Sequence, residues 1–500
     1  KRDQSENEGG APNGKATKQD LTSSASHEDA PHTKAPVSIQ IITGSYERVL
    51  HGIIATIPLD SFQGKNDDTE ASVSFSDSFL FNAHTSAIRC LAISPQSDSQ
   101  KVILATGSTD ERINLYSLST VPPPPSKDAP KNGTRKPSAL TSIIKPTSTN
   151  PTNKELGTLN HHASTVTTLT FPTRTKLLSS AADNSIAILR TRDWSVLSSL
   201  RAPIPKPAGR PSGDTAAPGE VPAGVNDLAV HPSLKLMVSV GRGERCMRLW
   251  NLVTGKKAGV LQFSKSLLAQ VGEGRFGSGE GRKVVWEPND GEEYVVGFER
   301  GAVVFGMDSK PKAKLLPRPL TKVHQMQYLP STKQNILAVS TEDGRILFYR
   351  PEPQTESDIA DASAPKDDTI PDCELLAQLG GRDAGILSRI KDFDLLPMRS
   401  VNDGDDQITY IVVTACSDGA VNLWTVDIQE LGSEEQPEAK SVTTPLPTVK
   451  QVGRLLGTYE TTNRITCMKA FLMIGKGNAT VNGDDEEEGA EDVSSSESDD

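Results

Sequence analysis

The chain has little with which to cross a membrane, build a disulfide frame or run a familiar catalytic site. No window of about 18 consecutive apolar residues occurs, which argues against a membrane-spanning helix. No apolar secretory core stands near the start. Residue 1 is Lys, as expected of a chain that lacks its natural beginning, so that absence excludes no leader. The five cysteines (Cys90, Cys246, Cys373, Cys416, Cys467) are odd in number, far apart and never in a CxxC pair. They read as reduced thiols of a cytosolic or nuclear protein rather than as a disulfide scaffold or zinc site. There is no GK[ST] phosphate loop, no HExxH and no GxSxG. GEGRFG (272–277) matches a dinucleotide glycine fingerprint in letters only. The fingerprint must follow a strand and open a helix, whereas this one precedes the strand-like RKVVWE (282–287), so it reads as loop. Asn132-Gly-Thr and Asn478-Ala-Thr fit glycosylation sequons, but the cysteine usage argues against secretion.

What is present favours strands and loops. Hydrophobic residues make up 35% of the 500, against 39 Gly and 34 Pro, a mix that fits an all-β, loop-rich chain better than a compact helical one. The net charge of −11 is unevenly spread: residues 481–500 hold ten acidic side chains and no basic one, so the body is nearly neutral. Residues 1–36 offer almost nothing to bury and are expected to be disordered, as is an acidic tail over 476–500. Ser494, Ser495, Ser496 and Ser498 stand among those acids, as an acid-directed kinase requires; the bland alternative is a solvating tail.

Between the tails lies a repeat, each copy in two halves. The second half is an apolar run, a small-residue turn and another apolar run, which reads as two strands joined by a tight turn. It appears as IITGSYERVLHGI (41–53), ILATGSTDERINLY (103–116), LLSSAADNSIAIL (177–189) and MVSVGRGERCMRLW (237–250). It returns as YVVGFERGAVVFG (294–306), ILAVSTEDGRILFY (336–349) and IVVTACSDGAVNLW (411–424). The first half spaces mostly apolar positions as i, i+3, i+5, from Ile88/Leu91/Ile93 through Ile390/Phe393/Leu395. Its two faintest copies are Gly281/Val284/Trp286 and Ile465/Met468/Ala470. The N-terminal copy has only the second half and the C-terminal copy only the first; joined, they complete a seventh unit. The economical solution is a ring of seven four-stranded blades closed by strands from both ends, over 37–475, which leaves no sheet open. Segments near 120–154, 201–222, 351–370 and 429–448, rich in Pro, Ser, Thr and charge, are expected to be exposed, partly disordered insertions.

The pattern resembles a seven-bladed WD40 β-propeller. Arg300 and Asp343 stand at equivalent turn positions 43 apart, within the WD40 period of about 40–45 residues. Trp250 and Trp424 occupy the position of the family's tryptophan, and Tyr116 and Tyr349 replace it elsewhere. His84 and His162 occupy the histidine position four residues before Ile88 and Val166, and Asp110, Asp183, Asp343 and Asp418 the turn position. The resemblance implies that such side chains form buried structural hydrogen-bond networks, His84 with Asp110 and His162 with Asp183, rather than catalytic dyads. It also implies that the residues flanking each first i position rim one opening of the ring. Among those fourteen are Arg89, Arg282, Lys322, His324, Arg389, Lys391 and Arg464, with Glu280 the one acid. An electropositive face for RNA phosphate or an acidic protein segment follows; the alternative is that long side chains merely solvate the rim. A second basic stretch, KPKAKLLPRPLTK (310–322), has no aromatic for stacking and reads as a solvated connecting strand.

Several segments go beyond generic blade sequence: VSIQIITGSYERVLHGI near the start, LGTLNHHASTVTTLTF with LLSSAADNSIAILRTRDWSVLSSL (156–200), RIKDFDLL (389–396) and GRLLGTYETTNRITCM (453–468). They resemble the eukaryotic nucleolar family of the fungal maintenance-of-killer WD40 protein and its animal counterpart, the PAK-interacting protein. That resemblance implies a non-enzymatic, nuclear and nucleolar assembly factor for the large (60S) ribosomal subunit. Its partners would be pre-60S particles, through rRNA and other assembly factors, with no cofactor, metal, membrane or small-molecule substrate. The alternative it implies is negative regulation of p21-activated kinase by direct binding. Two departures stand out: the insertions are unusually long, and the family's Lys-rich tail is replaced by acid, so either that tail is missing or nuclear targeting lies elsewhere.

Overall fold

Apolar runs too short for ordinary helices and too continuous for a half-wetted sheet belong to strands covered on both faces. In the computed structural model, the repeat's second halves are such strands. It describes residues 36–62, 73–96, 100–123, 150–204, 223–274, 277–332, 334–353, 369–399, 408–432 and 449–474. These form seven four-stranded antiparallel sheets. The innermost strands of blades 2 to 7 are Ile88–Ile93, Val166–Thr173, Val225–Val230, Lys283–Trp286, Val323–Tyr328 and Ile390–Arg399, and each blade proceeds outward in chain order. Blade 1 takes its innermost strand, Ile465–Leu472, from the C-terminal side and the next three, Val37–Ser45, Val49–Ile57 and Ser74–Asn82, from the N-terminal side. The innermost strands neighbour one another around a closed ring. The seven-bladed propeller sealed by both ends of the repeat is therefore the observed fold.

The core is divided among the blade interfaces. Alternation along a strand sends adjacent residues to opposite faces. Ile41 thus packs with Val413 and Leu423 of blade 7, while Ile42 packs with Ile88 and Leu104 of blade 2. Seven buried clusters result, one in each gap between neighbouring blades. The faintest repeat copies obey the same rule: Ile465, Met468 and Ala470 are buried against blade 7, and Val284 and Trp286 against blade 4. Blade 1 closes in tight register, with Ile39 opposite Leu472 and Gly44 opposite Cys467. A Cβ on Gly44 would meet Ile88 Cγ2 at 2.7 Å and Cys467 Sγ at 2.8 Å, so the blade 1–2 junction demands glycine there.

The odd i, i+3, i+5 spacing has a structural cause. Innermost strands carry a bulge just after the first apolar residue, as between Ile88 and Cys90, Val166 and Thr168, Val225 and Asp227, and Ile390 and Asp392. A bulge inserts one unpaired residue into a period-2 strand and re-aims its side chain. Position i+1 (Arg89, Thr167, Asn226, Lys391) is that extra residue.

The ordered strands run slightly into the expected insertions: Arg345–Pro353 reaches past 351, and a short helix, Ile428–Gly432, opens the segment that begins at 429. Residues 124–149, 205–222, 354–368 and 433–448 of the four insertions lie outside the described residues, as do 1–35 and 475–500 with the four tail serines and both sequons. Among the elements not expected is the helix Lys265–Gln270, whose first turn is capped by Ser264 accepting from Leu267 N–H and whose Leu267 and Leu268 are buried. GEGRFG follows that helix rather than opening one; Arg275 and Phe276 lie outside the described residues. The basic stretch 310–322 supplies Pro311–Leu315, the outermost strand of blade 5. Its lysines face carboxylates: Lys310 lies 3.5 Å from Asp308, Lys312 3.7 Å from Glu293 and Lys314 3.3 Å from Asp372. All five cysteines are free thiols, and burial pushes Cys246 up to about 11 and Cys373, Cys416 and Cys467 to about 12.

Candidate functional site at the mouth of the central channel

The turns joining second to third strands meet the rim from outside. In blade 2, His84 Nδ1 lies 3.1 Å from Asp110 and Nε2 lies 2.8 Å from Thr106 Oγ1. Asp110 also accepts from Thr85 N–H at 3.0 Å and Arg112 N–H at 3.1 Å. Burial lowers the His84 pKa despite the nearby carboxylate. The group is buried and saturated with partners, the state of a structural strut. Blade 3 is built differently. His162 Nδ1 bonds Ser185 Oγ at 2.9 Å and lies 3.5 Å from Asp183, and Ser185 Oγ donates to Asp183 at 2.6 Å, so a serine bridges the histidine and its carboxylate. His161 and His162 share Ser179 Oγ, at 2.9 and 2.8 Å, and burial and then the His162 charge lower His161 to about 4. Asp343 pairs with Arg345 at 2.6 Å, and Asp418 accepts Ala420 N–H at 3.2 Å, so these two turn carboxylates serve their own turns instead of a histidine. The tryptophans keep their hydroxyl partners: Trp250 Nε1 donates to Ser239 at 2.8 Å and Trp424 Nε1 to Thr414 at 3.4 Å.

The seven rim residues named from sequence fall in five consecutive blades, 5, 6, 7, 1 and 2, while Thr165, Thr167, Gly224 and Asn226 make blades 3 and 4 neutral there. The basic feature is an arc, not a full ring. Counting only the residues that flank position i overstates its charge. Glu299 pairs with Lys322 at 3.0 Å and Arg282 at 3.3 Å, and Glu342 lies 3.6 Å from Arg389. Both acids come from the turns, one residue before Arg300 and Asp343. Arg89, Lys391 and Arg464 remain without an ion-pair partner among the described residues. They stand on the adjoining innermost ends of blades 2, 7 and 1. Burial, then the charges of Arg389, Arg464 and Arg89, lowers Lys391 to about 8. Burial, then Lys391, Arg389, Lys322 and Arg282, lowers His324 to about 4, and His324 Nε2 is buried without a hydrogen-bond partner among the described residues. Cations crowded in this way favour a bound anion, which relieves both repulsion and desolvation.

Below the mouth the channel is lined by positions i+2 and i+4, whose role sequence reading missed. Asp227 accepts from Thr168 Oγ1 of blade 3 at 3.0 Å and Val284 N–H of blade 5 at 3.1 Å. Asp392 and Asp394 of blade 7 accept Met468 N–H and Ala470 N–H of the closing strand at 2.9 and 3.0 Å, and Lys469 lies 3.8 Å from Asp394. Polar letters between the apolar ones in VNDL, IKDFDL and MKA were the available signal. These carboxylates clasp neighbouring blades. A groove of about 400 Å³ lined by Phe79, Phe81, Leu104 and Tyr116 lies on the flank between blades 1 and 2, away from the mouth. Among the described residues no group of three or more metal-ligating side chains gathers, and no helix is long and apolar enough to cross a membrane.

Seven closed four-stranded blades with turn carboxylates, buried histidines and strand tryptophans at repeated positions define a WD40 β-propeller, a scaffold class that works through its surfaces. The family model described as WD domain, G-beta repeat matches residues 75–117 and 153–188. The chain is also similar to the p21-activated protein kinase-interacting protein 1-like of Xenopus laevis, 24% identical over 88% of this chain and 83% of that one. Protein MAK11 of Saccharomyces cerevisiae is 27% identical over 78% of both chains, and the Gallus gallus p21-activated protein kinase-interacting protein 1-like is 24% identical over 87% and 80%. The resemblance read from the sequence, to the family of these fungal and animal proteins, is borne out.

Proposed function

We propose that this chain is a non-enzymatic WD40 scaffold in assembly of the large ribosomal subunit. It acts in the nucleolus and holds pre-60S particles through rRNA and assembly-factor contacts. The observation that carries this reading is the arc of cations at the channel mouth, where Arg89, Lys391 and Arg464 stand together unpaired among the described residues. Phosphate-rich partners meet such a surface with strong salt dependence. The similarity to Protein MAK11 supports the ribosomal setting. The test reverses charge at Arg89, Arg389 and Lys391 to Glu, with folding checked by circular dichroism. The variant is expected to leave pre-60S fractions in gradient sedimentation, and unchanged co-sedimentation refutes the rim as the working face.

A second reading rests on the names of the Xenopus and Gallus relatives, which describe interaction with a p21-activated kinase. On that reading the propeller binds the kinase directly and restrains it. Affinity purification separates the two: recovery of large-subunit precursors with rRNA supports the first, and recovery of a kinase without RNA supports the second.

A further inference from the structure

One backbone bond recurs at the rim. In each of six blades the turn between second and third strands donates an N–H to the residue just before position i. The donors are Tyr46, Thr109, Ala182, Arg242, Glu342 and Ser417, at 2.8–3.1 Å. These six residues are therefore structural equivalents, and among them Tyr46 is the aromatic one. Nothing in the fold requires a ring there, since small and charged side chains serve the other turns. Tyr46 is 58% exposed, so its ring adds no core. Its neighbour is Arg464, whose guanidinium carbon sits 5.6 Å from the ring centroid. The Arg464 backbone is doubly held, its carbonyl accepting Tyr46 N–H at 2.9 Å and its N–H donating to Glu47 at 3.0 Å. Thr466 Oγ1 then donates to Gly44 O at 3.0 Å and Ile88 O at 2.6 Å, which stitches this turn to the start of blade 2, where Arg89 projects. Lys391 stands at the equivalent bulge of blade 7, whose innermost strand neighbours the closing strand that follows Arg464, as that strand neighbours the one bearing Arg89.

We propose that Tyr46, Arg464, Arg89 and Lys391 form a nucleotide subsite for single-stranded RNA, with a base on the exposed Tyr46 ring and the adjoining phosphates against the three cations. This rests on the reading of the rim as the working face and deepens it. The Tyr46–Arg464 pair decides the partner class. An acidic peptide gains from the cations but has no use for a solvent-facing aromatic plane, whereas an unpaired base stacks on aromatic rings and on arginine planes alike. A duplex hides its base faces and is disfavoured for the same reason. Stacking tolerates any base, so binding is broad in sequence.

The experiment is fluorescence anisotropy on the full chain with a short labelled oligouridylate, in competition with duplex RNA and with polyglutamate. Tyr46→Ala is expected to weaken oligouridylate binding by about fivefold or more, the contribution of one stacked base, while Tyr46→Phe and Tyr46→Trp retain it. Arg89→Gln is expected to reduce the logarithmic salt slope by about 0.7, the loss of one single-strand phosphate contact. Oligouridylate affinity unchanged in Tyr46→Ala, or polyglutamate competing as well as RNA, overturns the subsite. If Tyr46→Ala is neutral while the triple charge reversal still detaches the protein from pre-60S particles, the subsite falls and the rim reading stands. If Tyr46 governs oligouridylate binding while the triple reversal leaves particle association intact, the subsite stands and the rim reading falls.

Discussion

Asp392 is the residue whose removal best tests how the ring is sealed. Its carboxylate takes Met468 N–H of the closing strand at 2.9 Å, Phe393 N–H at 3.0 Å and Gln325 Nε2 at 3.1 Å. It thereby joins blades 6, 7 and 1 from the channel side, apart from any sheet ladder. Burial raises its pKa, against the pull of Lys469 and the Met468 N–H, so part of the gain is lost to desolvation. A hydrogen bond to a charged acceptor is worth about 1.5–3 kcal/mol net, and a buried donor stranded by truncation costs about 1–3 kcal/mol. Asp392→Ala should therefore destabilise the protein by about 2–3 kcal/mol. Unfolding entropy near 2.1 cal/mol/K per residue makes each kcal/mol only slightly more than about 1 °C in a fold this long, so Tm should drop by about 3 °C. Calorimetry gives the shift, and hydrogen exchange at the Met468 amide shows whether the closing strand is what loosens. Asp308→Ala, in an exposed turn of blade 5, is the control and should shift Tm far less. If Asp392→Ala melts with the wild type and the Met468 amide stays protected, the clasp contributes nothing and closure rests on the ladder alone.

Further predictions concern pH and packing. His161 and His324 are held at about 4 chiefly by burial, below the ordinary 6.5, so between those values the unfolded chain binds more protons than the native one. Their contribution to stability is complete above pH 6.5 and drains as pH falls toward 4, so Tm should decline across that window and decline less in His161→Gln; a flat profile refutes the assignment. Gly44→Ala forces a methyl into Ile88 and Cys467 at the blade 1–2 junction, and overpacking of this kind costs about 1–3 kcal/mol. Urea denaturation should show a lower midpoint with an unchanged slope; an unmoved midpoint shows that the junction has room.

Much of the fold was legible because its information is local. Period-2 alternation and turn chemistry are properties of a few adjacent residues, and they mark each second half whatever surrounds it. Even the i, i+3, i+5 rule was visible, although the bulge that produces it was not. The site was less legible. Arg89, Lys391 and Arg464 could be placed on the rim by repeat position, but their freedom from partners depends on where Glu299 and Glu342 point. Likewise His162 occupies the same repeat position as His84 and faces Asp183 at 3.5 Å, yet Ser185 joins the pair as a bridge that blade 2 lacks. The helix Lys265–Gln270 escaped notice because six residues carry too little periodicity to announce a helix, and its burial against Phe263 and Phe298 is tertiary.

The amino-acid order by itself determined the number of blades, their strand composition and the closure of the ring, since the half-repeats at 41–53 and 465–470 are each incomplete without the other. Only the closed structure decided the charge balance of the mouth, the clasp from Asp392 to Met468 and the company Tyr46 keeps with Arg464. The reason is one of range. Strand alternation is settled between neighbours along the chain, whereas electrostatic and stacking contacts depend on distances in space, and residues more than four hundred positions apart acquire theirs only when the ring shuts.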